Sequence, residues 1–284
     1  MLVNLNAVLA YAEKNQCAIG SFNTPNLETI QAVIHEAEAR NVPVIIMHAQ
    51  VHESVSPLAE IGPIMVFCAK NSSVPVCVHL DHGEDLVYLE QALKFGFTSV
   101  MFDGSLLPYE ENVKNTIAAV QLAKPYQANV EAEIGVLGGR ESGDQRCALK
   151  DSSKLYTDPV VAAEFVNKTN IDALACSFGT AHGLYKVAPK LDFNRIEKIA
   201  NLTKKPLVMH GGSGVLPEDY RKAISLGIRK INYYSYMAKA GLDGARSAIQ
   251  NPAIIFYHDL VKEAYQAMRR DIAKAMDVFY ARQN

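Results

Sequence analysis

The 284-residue sequence contains no apolar run near the roughly 18 residues of a membrane span, so no membrane partner is expected. It carries little charge of one sign. Lys and Arg number 28, Asp and Glu 30, and the formal net charge is -2, which leaves no broad basic surface for a dedicated nucleic-acid binder. Cysteine is scarce and odd in number: five, at positions 17, 68, 77, 147 and 176, with no CxxC spacing. That argues against a disulfide framework or a thiolate zinc cluster and fits a reducing, cytoplasmic location. The opening stretch MLVNLNAVLAYAEKNQ lacks the basic start and long apolar core of a secretion signal. Low-complexity segments, long charge runs and Pro/Gly/Ser-rich linkers are missing. So is a GxGxxG fingerprint after the first strand-like run, which disfavours an open dinucleotide-binding sheet.

What is present is a balance of 49% hydrophobic and 20% charged residues, that of a folded globular chain. At roughly 150 residues per domain the length allows two domains, but a single α/β barrel often runs to about 250 residues or more. The pattern decides. Eight short β-branched or apolar runs lie at 17–22, 43–48, 75–80, 98–103, 128–133, 171–177, 206–210 and 229–233. Amphipathic stretches separate them, such as 26–40, where Leu27, Ile30, Val33, Ile34 and Ala37 share one helical face. Pro43, Pro75 and Pro206 begin three of the runs, where a missing N–H is tolerated. Eight βα units read as a (β/α)8 TIM barrel. We expect one domain over 1–284, with an extra helix at 1–14 and a helical extension over about 240–284, clearest at 255–280. The stretch 135–157 is long, polar and Gly-rich, as lids or disordered loops are.

In a barrel, chemistry sits at the C-terminal strand ends. These ends carry Asn23, His48, the HLDHG run at 79–83, Asp103-Gly104-Ser105, Glu131 and Glu133, the GTAHG run at 179–183, the HGGSG run at 210–214, and Asn232. His48 receives no role. A purely structural barrel has no need for so many ionisable groups at one rim. His82, His182 and His210 stand at separate strand ends and can converge on one ion, since three imidazoles with an open position form a known catalytic zinc arrangement. Each one singly also reads as a structural histidine. Asp103 and Glu133 read either as second-ion ligands or carboxylates orienting the histidines, or as a solvated pair.

Asp81 and His82 are adjacent, so an extended strand would point them apart, whereas a turn would let both face the cavity. Asp81 then suits proton transfer; its other reading is a helix N-cap. The glycines of 210–214 precede a helix expected at about 217–226, so their N–H groups suit an anion such as phosphate, with Asn232 and Ser235 beside them. A bare tight turn is the alternative. Tyr233, Tyr234 and Tyr236 read as packing for the last helix or as a substrate wall.

The motifs HLDHG (79–83), SVMFDGS (99–105), VEAEIGVLGGRE (130–141), YTDP (156–159), FGTAHGLYKVAPKLDF (178–193), VMHGGSG (208–214) and KIN (230–232) resemble the class II, metal-dependent ketose-bisphosphate aldolases. This group includes fructose- and tagatose-bisphosphate aldolases. The resemblance implies a reversible lyase that cleaves a ketose 1-phosphate or 1,6-bisphosphate into dihydroxyacetone phosphate and an aldehyde. It implies Zn2+ on His82, His182 and His210, with Asp103 and Glu133 at a second or alternative metal position. Asp81 would serve the C4 hydroxyl, and Glu141 would move the C3 proton. Asn23, Gly183, Gly211, Ser213, Asn232 and Ser235 would line the substrate pocket. A monovalent cation, Na+ or K+, is implied near the phosphate. The partner is then a small sugar phosphate, and a homodimer or homotetramer is expected, with 255–280 as a reasonable interface.

The sequence also departs from the family. After Asn232 it reads Tyr233-Tyr234-Ser235-Tyr236 where smaller polar or acidic residues are usual. Ala49 stands where many members have Ser or Thr near the distal phosphate, and residue 140 is Arg where some have Glu. The dihydroxyacetone-phosphate half is therefore expected to be preserved and the aldehyde half rebuilt. A ketose 1-phosphate ending in another anion, such as 6-deoxy-6-sulfofructose 1-phosphate, fits that pattern, with Arg140, Arg246 or Arg270 as candidate partners. From other classes, a non-catalytic sugar-phosphate-binding subunit and a metal-dependent hydrolase remain alternatives. The first would not need the complete set of His82, His182, His210, Asp81 and Glu141. The second would not need the glycine cradle.

Overall fold

The computed structural model describes residues 1–135 and 156–281. Eight parallel strands close into a barrel: β2 (Ile19–Asn23), β3 (Val44–Ala49), β4 (Val76–Gly83), β5 (Ser99–Phe102), β6 (Asn129–Ile134), β7 (Ala173–Cys176), β8 (Leu207–Met209) and β9 (Ile228–Tyr233). Each pairs with the next, and β9 returns to pair with β2 through Ile19–Lys230 to Phe22–Tyr233. Every run expected from the sequence is a strand, with boundaries shifted by at most three residues. The (β/α)8 TIM barrel is therefore the observed architecture. A short strand not anticipated, β1 (Leu2–Val3), pairs with Val76 and Cys77, below the point where β5 joins β4 at His79.

Helix α1 (Leu5–Asn15) precedes the barrel as expected and closes its N-terminal mouth. Its apolar face, Leu5, Val8, Leu9 and Ala12, is buried against the inward residues Ile19, Ile45, Cys77 and Ala173. Each large side chain so buried contributes about 1.5–3 kcal/mol. With the lower end closed by apolar side chains, polar chemistry is confined to the upper rim.

The outer ring is α2 (Leu27–Arg40), α3 (Leu58–Asn71), α4 (Leu86–Lys94), α5 (Tyr109–Ala123), α6 (Pro159–Thr169), α7 (Phe193–Thr203), α8 (Pro217–Ser225) and α9 (Ser235–Ile249). Helix α2 begins with a capping box between Asn26 and Thr29. The extension expected from about 240 starts later, because α9 is the barrel's eighth helix and the added element is α10 (Tyr257–Phe279). Arg269 Nε meets Glu36 Oε2 at 2.9 Å, and Arg40 reaches Asp277 at 2.9 Å, which joins α10 to α2. Tyr280 Oη accepts the Gly20 N–H at 3.0 Å and donates to the Pro43 carbonyl. The last helix is thus tied to the start of the barrel.

Candidate active site

Strand β4 supplies two adjacent site residues through a defect. Its register with β5 runs Leu80–Val100 and then Gly83–Phe102, so one extra residue is inserted. His82 takes the left-handed backbone that the bulge requires, at φ 47°. Asp81 and His82 therefore both reach the barrel mouth. The N-cap reading of Asp81 is corrected, because β4 runs on to Gly83 and Asp85 caps α4, accepting the Tyr88 N–H at 2.8 Å.

Asp81 is fully buried and its two oxygens are held by two amides. Asn23 Nδ2 donates to Oδ2 at 2.9 Å, and Asn232 Nδ2 donates to Oδ1 at 3.0 Å. Burial alone would raise its pKa. Charge on His82, His210 and Lys230 and the Asn23 hydrogen bond outweigh that and hold it well below the usual carboxylate range. Asp81 is thus kept ionised, as a proton acceptor must be.

Carboxylates also fix the histidine tautomers. His82 Nδ1 lies 2.7 Å from Asp103 Oδ2, and His210 Nε2 lies 2.8 Å from Glu131 Oε1. With those nitrogens donating, His82 Nε2 and His210 Nδ1 are the atoms left to face each other, at 2.9 Å. Two lone pairs so close would repel; in the metal-free protein the raised His82 pKa puts a proton between them, at a position a cation can take instead. The His182 ring centroid stands 5.1 Å from that of His82 and 6.0 Å from that of His210. One nitrogen from each of the three lies within 4.8 Å of the others. His82, Asp103 and Glu133 form a second such group. Glu133 Oε2 is buried with no hydrogen-bond partner. Burial and the neighbouring charge of Asp103 push the Glu133 carboxyl well above its usual value. Converging imidazole nitrogens, two of the rings backed by carboxylates, and the unpartnered Glu133 carboxyl fit a divalent metal.

Gly183, Gly211, Ser213 and Ser235 lie after the C-terminal ends of β7, β8 and β9. Gly211 has φ 60°, and a Cβ there would lie 2.4 Å from the Ala181 carbonyl oxygen, so only glycine fits. Tyr185 Oη donates to the Gly211 carbonyl at 2.8 Å and accepts the Ala181 N–H at 2.7 Å, which pins the β7 and β8 loops together. Gly183 has φ 101° and open space where a Cβ would stand. Ser213 Oγ accepts the Tyr234 N–H at 2.9 Å, and Ser235 opens α9. Tyr233 is packing, ring to ring with Phe22 and Phe279, and its hydroxyl donates to Asp271 at 3.0 Å. Tyr234 instead stands 5.2 Å, centroid to centroid, from His52 in the turn after β3. Glu141, Arg140 and Cys147 lie outside the described residues. Arg246 and Arg270 are exposed on α9 and α10.

A layer of polar residues beneath the rim was not singled out as a set. His79, Ser99, Glu131 and Lys230 are all fully buried. Lys230 Nζ meets Glu131 Oε2 at 3.0 Å, and His79 Nδ1 meets Ser99 Oγ at 2.8 Å. The signal was available: His79, Glu131 and Lys230 each stand two residues before Asp81, Glu133 and Asn232, and period two puts them on the same inner face. His48, left without a role, is buried; its Nε2 lies 2.9 Å from Tyr88 Oη, and burial pushes its pKa down to about 4.

A closed (β/α)8 barrel with three converging imidazoles and an ionised aspartate at its C-terminal rim is an arrangement that could hold a metal ion in a barrel enzyme. The family model for class-II fructose-bisphosphate aldolase matches residues 3–284, and the chain belongs to that family, which makes it an aldolase, a carbon–carbon lyase acting on a small sugar phosphate. A sulfofructosephosphate aldolase of Alkalicoccus urumqiensis is 40% identical over 244 residues, covering 86% of this chain and 84% of that one. Among solved structures, the YdjI aldolase of Escherichia coli K12 superposes with a TM-score of 0.87 at 32% identity, covering 98% of this chain and 97% of the other. The fructose-bisphosphate aldolase of Campylobacter jejuni shares the fold, with a TM-score of 0.80 at 24% identity, over 98% and 95% of the two chains. Among the described residues no helix is long and apolar enough to cross a membrane.

Proposed function

We propose that the protein reversibly cleaves the C3–C4 bond of a ketose 1-phosphate, giving dihydroxyacetone phosphate and an aldehyde. His82, His182 and His210 would hold Zn2+, with Asp103 and Glu131 orienting two of the rings and Glu133 beside them. When bound, the metal supplies Lewis acidity to the substrate oxygens next to the breaking bond. Asp81 accepts the C4 hydroxyl proton as the bond breaks. Its two amide partners keep it ionised and aimed. Glu141 delivers the proton to C3. The phosphate docks on the N–H groups around Gly183 and Gly211–Ser213, with Ser235 at the start of α9. Asn23 Oδ1, buried without a partner, is an acceptor open to a substrate hydroxyl.

The observation that supports this reading is the pairing of the clamped, ionised Asp81 with the converging nitrogens of His82, His182 and His210. For the distal end we favour a sulfonate, as in 6-deoxy-6-sulfofructose 1-phosphate. The Alkalicoccus relative bears that activity in its name, and Ala49, His52 and Tyr234 give this rim its own chemistry. Release of dihydroxyacetone phosphate, measured with and without a chelator on fructose 1,6-bisphosphate, tagatose 1,6-bisphosphate and the sulfonate, tests both statements. Chelator-insensitive cleavage overturns the metal mechanism. A large kcat/KM preference for fructose 1,6-bisphosphate overturns the distal assignment.

A further inference from the structure

Lys230 is the one fully buried lysine among the described residues, and nothing in the reaction above uses it. It lies in β9 two residues before Asn232, so both project into the barrel. A lysine is almost never fully buried unless paired. Its Nζ forms an ion pair with Glu131 Oε2 at 3.0 Å and donates to Asn232 Oδ1 at 2.7 Å. An ammonium has donors only. The Asn232 atom facing it must therefore be the carbonyl oxygen, which turns Nδ2 toward Asp81 Oδ1 at 3.0 Å. The alternative orientation would set N–H against ammonium and carbonyl oxygen against carboxylate. His210 Nε2 is 3.4 Å from the same Nδ2 but already donates to Glu131, so it does not compete as an acceptor.

We propose that Lys230 is a positioning residue: it fixes the orientation of the Asn232 amide, and through it the second hydrogen bond that clamps Asp81. The consequence for turnover rests on the aldolase reading above; the amide orientation does not. Glu131 has a double task in this arrangement, since Oε2 anchors the ammonium while Oε1 orients His210. Metal site and proton acceptor are thereby braced by one buried ion pair.

The test removes the pair without stranding a charge. Lys230→Met alone leaves Glu131 buried without its cation and risks misfolding, so Lys230→Met is combined with Glu131→Gln, whose amide oxygen still accepts from His210. The pair variant should fold and keep its bound metal, with kcat lowered about ten- to a hundredfold, the scale of one lost hydrogen bond to a charged group. In an Asn232→Ala background the same pair change should cost less than about twofold, because coupled residues are non-additive. An equal fall in both backgrounds overturns the proposal. Side-chain amide NMR of Asn232 reads the orientation directly. Its Nδ2 protons should be protected from exchange in the wild type and lose protection in the pair variant. Unchanged protection also overturns the proposal. A wild type that cleaves no ketose phosphate would sink the functional reading, while the NMR comparison would still decide the role of Lys230.

Discussion

Asp81 and His82 are consecutive in the chain, yet both side chains enter the barrel mouth, because β4 bulges between Leu80 and Gly83 and His82 sits at φ 47°. A left-handed backbone costs an ordinary L-residue roughly 1–2 kcal/mol, and Asn tolerates it better than most. His82→Asn should therefore preserve the bulge while removing the imidazole, and His82→Val should lose both. Both variants should lose bound metal. The Asn variant should melt within about 2 °C of the metal-free wild type and the Val variant several degrees lower. Equal melting temperatures would show that the turn carries no such cost.

Asp81→Ala removes the proposed proton acceptor but none of the nitrogens that face the metal position. Metal content should stay near that of the wild type, and kcat should fall by about 10²–10⁴, the usual worth of a positioned acid or base. Asn23 and Asn232 lose their shared acceptor, so a modest drop in stability is also expected. Near-normal turnover in this variant removes Asp81 from the mechanism.

Metal binding should release a proton. In the metal-free protein burial works against a charged His82, but Asp81, the Asp103 hydrogen bond and Glu133 outweigh it and raise its pKa well above 6.5. Below about 6.5 the folded-state proton contributes stability in full, and that contribution fades as pH rises through the raised folded value. A divalent ion must displace the same proton, so apparent affinity should rise with pH until that value is passed. Calorimetric titration of metal into the chelator-stripped protein, in buffers of different ionisation heat, should give about one proton released near pH 7. Release of none would mean that His82 is neutral without metal.

The sequence revealed the barrel more completely than the site. Strands with one helix each make a period that survives errors of a few residues at every end, so all eight were legible. The site's outer residues were legible because strand ends are recognisable places. The bulge at His82 was not, since a one-residue register shift leaves no mark on composition; only the demand that Asp81 and His82 act together hinted at it. The role of Lys230 was hidden for another reason. A lysine near a strand end reads as exposed, and its burial is acceptable only because Glu131, about a hundred residues earlier, supplies the opposite charge. Tyr185, which joins two glycine loops through backbone groups, depends likewise on contacts made only in the closed barrel.

Gly211 allows a sharper test of the phosphate side. Its φ of 60° disfavours any side chain, and a Cβ would meet the Ala181 carbonyl oxygen at 2.4 Å, a backbone atom that cannot swing away. Gly211→Ala should therefore separate the β7 and β8 loops that Tyr185 holds. The expected result is a rise in KM for every 1-phosphorylated substrate, whatever its distal group. Gly183→Ala, where open space awaits a Cβ but φ is 101°, should strain the backbone without that clash and disturb KM less. Equal effects would place the phosphate elsewhere.

The proposed aldehyde side can be tested at His52. Its Nδ1 is buried with no partner, its ring stands 5.2 Å from that of Tyr234, and burial lowers its pKa with only partial compensation from Asp81. A neutral imidazole offers one N–H, which can serve a sulfonate or phosphate oxygen at the far end of the ketose. His52→Ala should raise KM for such a ketose about tenfold or more, the cost of a hydrogen bond to a charged group. If His52 serves only the distal group, the exchange of the C3 proton of dihydroxyacetone phosphate should be unaffected. If His52→Ala slowed this exchange as much as full cleavage, the residue would be supporting the metal centre instead. If KM did not move with any ketose, the distal group would lie on another part of the rim.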